Sequence, residues 1–102
     1  MKIDRWDPKQ DGPLTQERLQ AKLQALGYEI TRYVYPPGTY FAPHSHSEDK
    51  IDAVLSGQFR ITMAGQSVIL GPGDSIHVPQ GIEHSAEVVG KESVVSLDAV
   101  KV

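Results

Sequence analysis

Cysteine is absent from the 102 residues. Its absence excludes disulfides, thiolate metal sites and cysteine nucleophiles, and it fits a reducing compartment. No apolar run approaches ~18 residues, so no membrane-spanning helix is expected. The start, Met1-Lys2-Ile3-Asp4-Arg5-Trp6-Asp7, has no apolar core like that of a signal peptide. A basic surplus is missing too. Net charge is −3 and the pI lies near 5.7, so charge alone invites neither nucleic acid nor anionic lipid. These absences together lead us to expect a cytoplasmic protein with no nucleic-acid and no membrane partner.

The chain does carry 9 glycines and 7 prolines, and they punctuate it. Residues 1–13 are polar, with turn signals at Asp7-Pro8 and Asp11-Gly12-Pro13, and read as a loose arm on which Ile3 and Trp6 are the candidate docking side chains. From Thr15 to Leu26 the pattern is helical. Leu19, Leu23 and Leu26 recur at i, i+4 and i+7, Thr15 suits the N-cap and Gly27 the C′ position. This short amphipathic helix is expected to cover an open end of the remaining fold. After Gly27 every segment reads as a strand: 28–35, 40–45, 51–55, 58–63, 66–70, 75–78, 85–89 and 93–100. Phe59, Ile61 and Met63 alternate with Arg60 and Thr62, the mark of a half-buried strand. Met63-Ala64-Gly65-Gln66 has the form of a hairpin connection. Short strands at near-regular spacing predict an all-β sandwich or barrel. One structural domain is expected, with residues 1–27 as N-terminal arm and helix and 28–102 as the barrel.

Only four histidines occur: His44, His46, His77 and His84. His44 and His46, two apart in a strand-like stretch, project to the same face. Two imidazoles side by side suit one divalent metal, provided a third ligand arrives from elsewhere. His77 lies on the strand leading to Pro79, and its parity leaves it facing either the barrel or the outside.

The surroundings add a pattern. Gly38-x5-His44-x-His46 is followed by Gly57 eleven residues on, and later comes Gly73-x5-Pro79-x-Gly81-x2-His84. Both segments resemble the two sequence motifs of the cupin superfamily, the second in every position except its last. At average glycine and proline usage the second pattern arises by accident in roughly one chain in two thousand of this length. The resemblance, to a small single-domain conserved-barrel cupin, implies a double-stranded β-helix (jelly-roll barrel), here with one short N-terminal α-helix. It also implies that His44, His46 and His84 bind a divalent transition metal, with Fe, Zn, Ni, Mn and Cu all open. A further implication is a small-molecule ligand or substrate and pairing as a homodimer, through the Trp6 arm or an exposed sheet edge.

One position departs from the motif. Where the family places a glutamate, this chain has Lys50, and the longer spacing lands on Ile51. A protonated lysine cannot ligate. Three placements of Lys50 remain open at this point. It lies near the pocket and pairs with Glu48, Asp52 or a bound carboxylate; it snorkels outward while water fills the fourth position; or the sheet slips so that Glu48 or Asp52 takes the carboxylate role. Three neutral imidazoles leave an ion with more positive charge than a set including glutamate. That charge favours an anionic second ligand and polarises a bound oxygen more strongly. No cofactor other than the metal is implied, and no catalytic residue is assigned. Lys50 and Tyr40 are pocket candidates, with Phe41, Arg60 and Met63 as further candidate lining. The expected function is a metal-dependent enzyme of dioxygenase, isomerase or lyase type, acting on a small anionic organic molecule. The alternatives are a non-catalytic small-molecule-binding or regulatory module and a purely structural domain.

Overall fold

Eleven elements make up the computed structural model, which describes residues 1–102. In chain order they are β1 (Ile3–Asp4), α1 (Pro8–Asp11), α2 (Gln16–Ala25), β2 (Tyr28–Tyr35), β3 (Tyr40–His44), β4 (Lys50–Ser56), β5 (Gln58–Met63), β6 (Gln66–Leu70), β7 (Ser75–Val78), β8 (His84–Val89) and β9 (Val94–Lys101). One sheet has the order β1-β7-β4-β9-β2 and the other β3-β8-β5-β6. All pairings are antiparallel. The two sheets close on each other as a jelly-roll barrel, so the chain is an all-β protein with short helices attached.

The barrel core follows from strand alternation. Phe59, Ile61 and Met63 of β5 point inward and pack with Val54, Leu70, Ile76, Val78, Ala86, Val88 and Val94. Arg60 and Thr62 point outward, where Arg60 pairs with Glu87 at 2.9 Å and Thr62 bonds Ser67 at 2.6 Å. The turn from β4 to β5 depends on Gly57, whose φ of +84° is one that side chains rarely adopt. A Cβ there would strike the Ser93 carbonyl oxygen and come within 2.9 Å of the Val94 Cα.

The five-stranded sheet is apolar on its other face as well. Ala53, Leu97 and Ala99 of β4 and β9 meet Leu19 and Leu23 of α2. Helix α2 therefore covers the outer face of this sheet, not an open end of the barrel. Thr15 caps it by accepting from the Arg18 N–H at 3.1 Å. Its two core leucines need an apolar partner surface, which the outer positions of β4 and β9 supply. Burying each is worth roughly 1.5–3 kcal/mol.

Residues 1–13 are docked where a loose arm was expected. Ile3 of β1 stands opposite Ile76 of β7, and the His77 N–H donates to the Lys2 carbonyl at 3.0 Å. A second, four-residue helix, α1, begins at Pro8 under an Asp7 cap. The Trp6 indole N–H donates to the Gly12 carbonyl at 2.8 Å. Gly73, with φ +89°, leaves room for that indole: a Cβ there would lie 2.6 Å from the Trp6 Cβ. Lys22 of α2 bridges Asp4 and Asp11 at 3.1 and 3.0 Å and ties the arm to the helix. No helix is long and apolar enough to cross a membrane.

Candidate metal centre

His44 ends β3, His84 begins β8, and the two stand opposite each other in the ladder. Antiparallel pairing thus brings residues forty positions apart in sequence side by side. His46 lies just past β3. Its carbonyl accepts from the Gly81 N–H at 2.8 Å, which fastens the loop after β3 to the turn before β8. Asp49 adds a second tie, its carboxylate accepting from the Gln80 N–H at 2.7 Å. That hydrogen bond is the main reason its carboxyl is held below the usual carboxylate range. The reversal forced by Pro79 and Gly81 therefore delivers His84 to the same interior as His44 and His46.

The three rings form one cluster. Their centroids are 4.3 Å apart for His44 and His84, 4.8 Å for His44 and His46, and 5.1 Å for His46 and His84. One ring nitrogen from each falls within 4.8 Å of the others, a group that can hold a metal ion. Nδ1 of His44 lies 2.6 Å from the Ala42 carbonyl oxygen, and Nδ1 of His84 lies 3.1 Å from that of Ile82. A carbonyl oxygen only accepts, so each Nδ1 donates and each Nε2 keeps its lone pair for a ligand. Burial is the largest cause holding His46 and His84 below the ordinary imidazole range, and the charges of Lys50 and His44 add to it at both. Both stay neutral at pH 7, the form a metal requires. Donor chemistry, tautomers and spacing all fit a divalent transition ion.

Lys50 points into the barrel, as does Asp52, because Ile51 and Ala53 on the same strand belong to the outer apolar cluster. Its partner is neither Glu48 nor Asp52. The Lys50 Nζ lies 2.8 Å from Asp98 Oδ1 and 2.9 Å from Asp98 Oδ2, on β9. Asp98 has no signal in the sequence, where Leu97 and Ala99 beside it look like the core-facing set of β9. Asp52 stands directly opposite Asp98 in the ladder. Burial, and then the Asp98 charge, push its carboxyl up to about 6. Neither Asp52 nor the exposed Glu48 joins the three-histidine group.

Other candidates fall elsewhere. Tyr40 is 59% exposed and leaves the pocket, because its neighbour Phe41 takes the inward position. Arg60 is on the outer surface with Glu87. Met63 and Phe41 do line the interior. His77 faces outward and contacts Asp49 at 3.4 Å. It borders a groove of about 620 Å³ between the N-terminal segment, α2 and the outer sheet face, with Trp6, Leu23, Tyr28 and Ile51. That groove does not include the three clustered histidines.

Comparison with known proteins agrees with this architecture. The family model described as Cupin domain matches residues 31–100. A conserved protein of unknown function from Streptococcus pyogenes is 28% identical, with a TM-score of 0.65 over 74% of this chain and 64% of its own. The match thus spans less than two thirds of that protein's length. KdgF from Halomonas is 25% identical, with a TM-score of 0.65 over 74% of this chain and 71% of its own. A predicted oxalate decarboxylase from Thermotoga maritima, 24% identical, shares the fold with a TM-score of 0.67 over 79% and 72%. No curated protein matches the chain closely enough to stand as a relative.

Proposed function

The chain belongs to the cupin domain family, and from that premise we propose that it is a metal-dependent enzyme acting on a small, anionic organic molecule. The convergence of one ring nitrogen each from His44, His46 and His84 within 4.8 Å carries this reading. Those residues are the metal ligands, and the reaction is of dioxygenase, isomerase or lyase type. Bound there, a divalent ion supplies a Lewis acid that polarises an oxygen of the ligand. The chain supplies the rest. Backbone carbonyls at Ala42 and Ile82 fix the two imidazole tautomers, and Asp49 with Gly81 fixes the loop that carries His46. Phe41 and Tyr35, with ring centroids 4.9 Å apart, wall the interior against water.

The protein works in this reading as one domain in the cytoplasm and as a homodimer. The absence of cysteine supports the compartment. The exposed Val34 on β2, a sheet-edge strand, supports the contact. Trp6 is committed to its own chain, so the sheet edge is the natural interface. A mass from light scattering of twice 11.2 kDa is expected.

A second reading has one observation in its favour. Lys50, locked to Asp98, occupies the motif position of the usual glutamate, which leaves a thinner metal shell, as a non-catalytic binding module would have. Elemental analysis of untagged protein, wild type beside His44→Ala, separates the two. The enzyme reading expects about one equivalent of Fe, Zn, Ni, Mn or Cu in the wild type and near none in the variant. No bound metal in either sample would select the binding module.

A further inference from the structure

Asp52 is an inward-facing acid outside the three-histidine group. Its partner across the ladder is Asp98, so two carboxyls occupy facing positions about 5 Å apart at their Cβ atoms. Lys50, the ammonium beside them, is committed to Asp98. Even so, Asp98 Oδ1 is buried and accepts no hydrogen bond; the ammonium 2.8 Å away meets it only as an ion contact. A buried oxygen without a hydrogen-bond donor is costly, and an O–H from a protonated carboxyl opposite would satisfy it.

We propose that Asp52 and Asp98 share one proton inside the barrel, and that Asp52 exchanges this proton with the molecule bound beside the three histidines. The proposal deepens the metal-site reading and rests on it for the location of that molecule. The surroundings of the pair support it. Asp98 stands opposite Asp52 on β9, the charges of Lys50 on its own strand and His44 on β3 reach it, Tyr35 of β2 feels both aspartates, and β7 presents only Ile76 and Val78 to the interior. Lys50 and His44 act against the retained proton, whereas burial and Asp98 favour it. Tyr35 is itself pushed up to about 12 by burial and by the two aspartates, so it stays neutral and adds no charge.

The transfer balances simply. The Asp52 O–H bond breaks, its electron pair stays on the carboxylate, and the proton bonds to a basic atom of the ligand. Lys50 offsets the second negative charge, and solvent later returns the proton. In the reverse sense the carboxylate takes a proton from the ligand. Because the groups are coupled, the observed midpoint belongs to the pair.

Carbon-13 NMR titration of the aspartate carboxyls tests this on the whole protein. In the metal-free wild type one carboxyl is expected to titrate near pH 6, a signal that Asp52→Asn removes. Asp98→Asn should lower that midpoint by at least one pH unit, and Asp98→Ser serves if the amide variant misfolds. One equivalent of Zn2+ should lower it by a further measurable step, because a nearby dication favours the carboxylate. No aspartate titrating above pH 5, or a midpoint indifferent to Asp98, overturns the shared proton. Zinc that binds by calorimetry yet leaves the midpoint unmoved overturns the placement beside the histidines. If zinc fails to bind while the Asp98 variants shift the midpoint, the metal reading falls and the shared proton stands.

Discussion

Lys50 shows how one residue resets a site. Its four-carbon stem reaches across to β9, and its ammonium contacts both oxygens of Asp98 with side chains only 12% and 19% exposed. An ion pair this sheltered is costly to break on one side, because the remaining charge loses water and partner together. Lys50→Met should therefore destabilise the protein by about 3 kcal/mol in urea unfolding at pH 7.5. The deficit should shrink by pH 4.5, below the value of about 6 at which Asp52 opposite takes up a proton and the buried negative charge falls. A loss independent of pH would mean that the stem contributes by packing alone. The same variant removes a positive charge that lowers His46 and His84, so zinc affinity should rise severalfold. At this scale the clustering of the three histidines was legible through the resemblance to the cupin motifs, in which glycine and proline spacing sets where the chain turns. Asp98 was not, since nothing local distinguishes an acid inside a barrel from one outside.

Among the elements, the strands were the most legible. Those at 28–35, 58–63, 66–70 and 75–78 have the bounds that alternation predicts, because each ends at a glycine or proline turn or a hairpin. Thr15 caps α2 as its position suggests. Where α2 sits was not legible, for a physical reason. Both faces of β4 and β9 are buried, one by the barrel core and one by the helix. Alternating apolar residues then mark no single inside, so parity could not assign Leu97 outward and Asp98 inward. The two-residue β1 has no periodicity to read; it forms only because β7 offers a free edge. The helix contact gives a clean test of this layering. Leu23 is 3% exposed in the outer cluster, so Leu23→Ala should cost about 3 kcal/mol of unfolding free energy. Zinc affinity should stay within a factor of about two, since sheet β4-β9 lies between the helix and the histidines. A large loss of affinity would show that the helix sets the geometry of the metal loop.

Across the whole molecule, two opposed titrations meet in the same pH window. His46 and His84 are held below the ordinary imidazole value of 6.5 in the fold. As pH falls through 6.5 the unfolded chain therefore takes up protons that the fold resists, and stability is lost. Asp52 works the other way. Its carboxyl rises from 3.8 to about 6 on folding, so as pH falls from 6 towards 3.8 the fold binds a proton that the unfolded chain does not, and stability is gained. Two pH units correspond to about 3 kcal/mol, enough to offset much of the histidine loss. Asp11 and Asp49, held low, act only below this window, and Lys22 and Tyr35, raised, only above it. The metal-free protein should thus show a nearly flat stability profile between pH 4 and 6.5, and Asp52→Asn should tilt it steeply downward towards acid. Excess zinc changes the balance, because it binds neutral imidazoles and competes with their protons. At a hundredfold excess over Kd it adds about 2.7 kcal/mol, or roughly 10–20 °C of Tm for a domain of this size. That shift should be full at pH 7.5 and nearly gone at pH 5, as differential scanning calorimetry would read directly. An equal shift at both pH values would place the zinc on carboxylates and away from the three imidazoles.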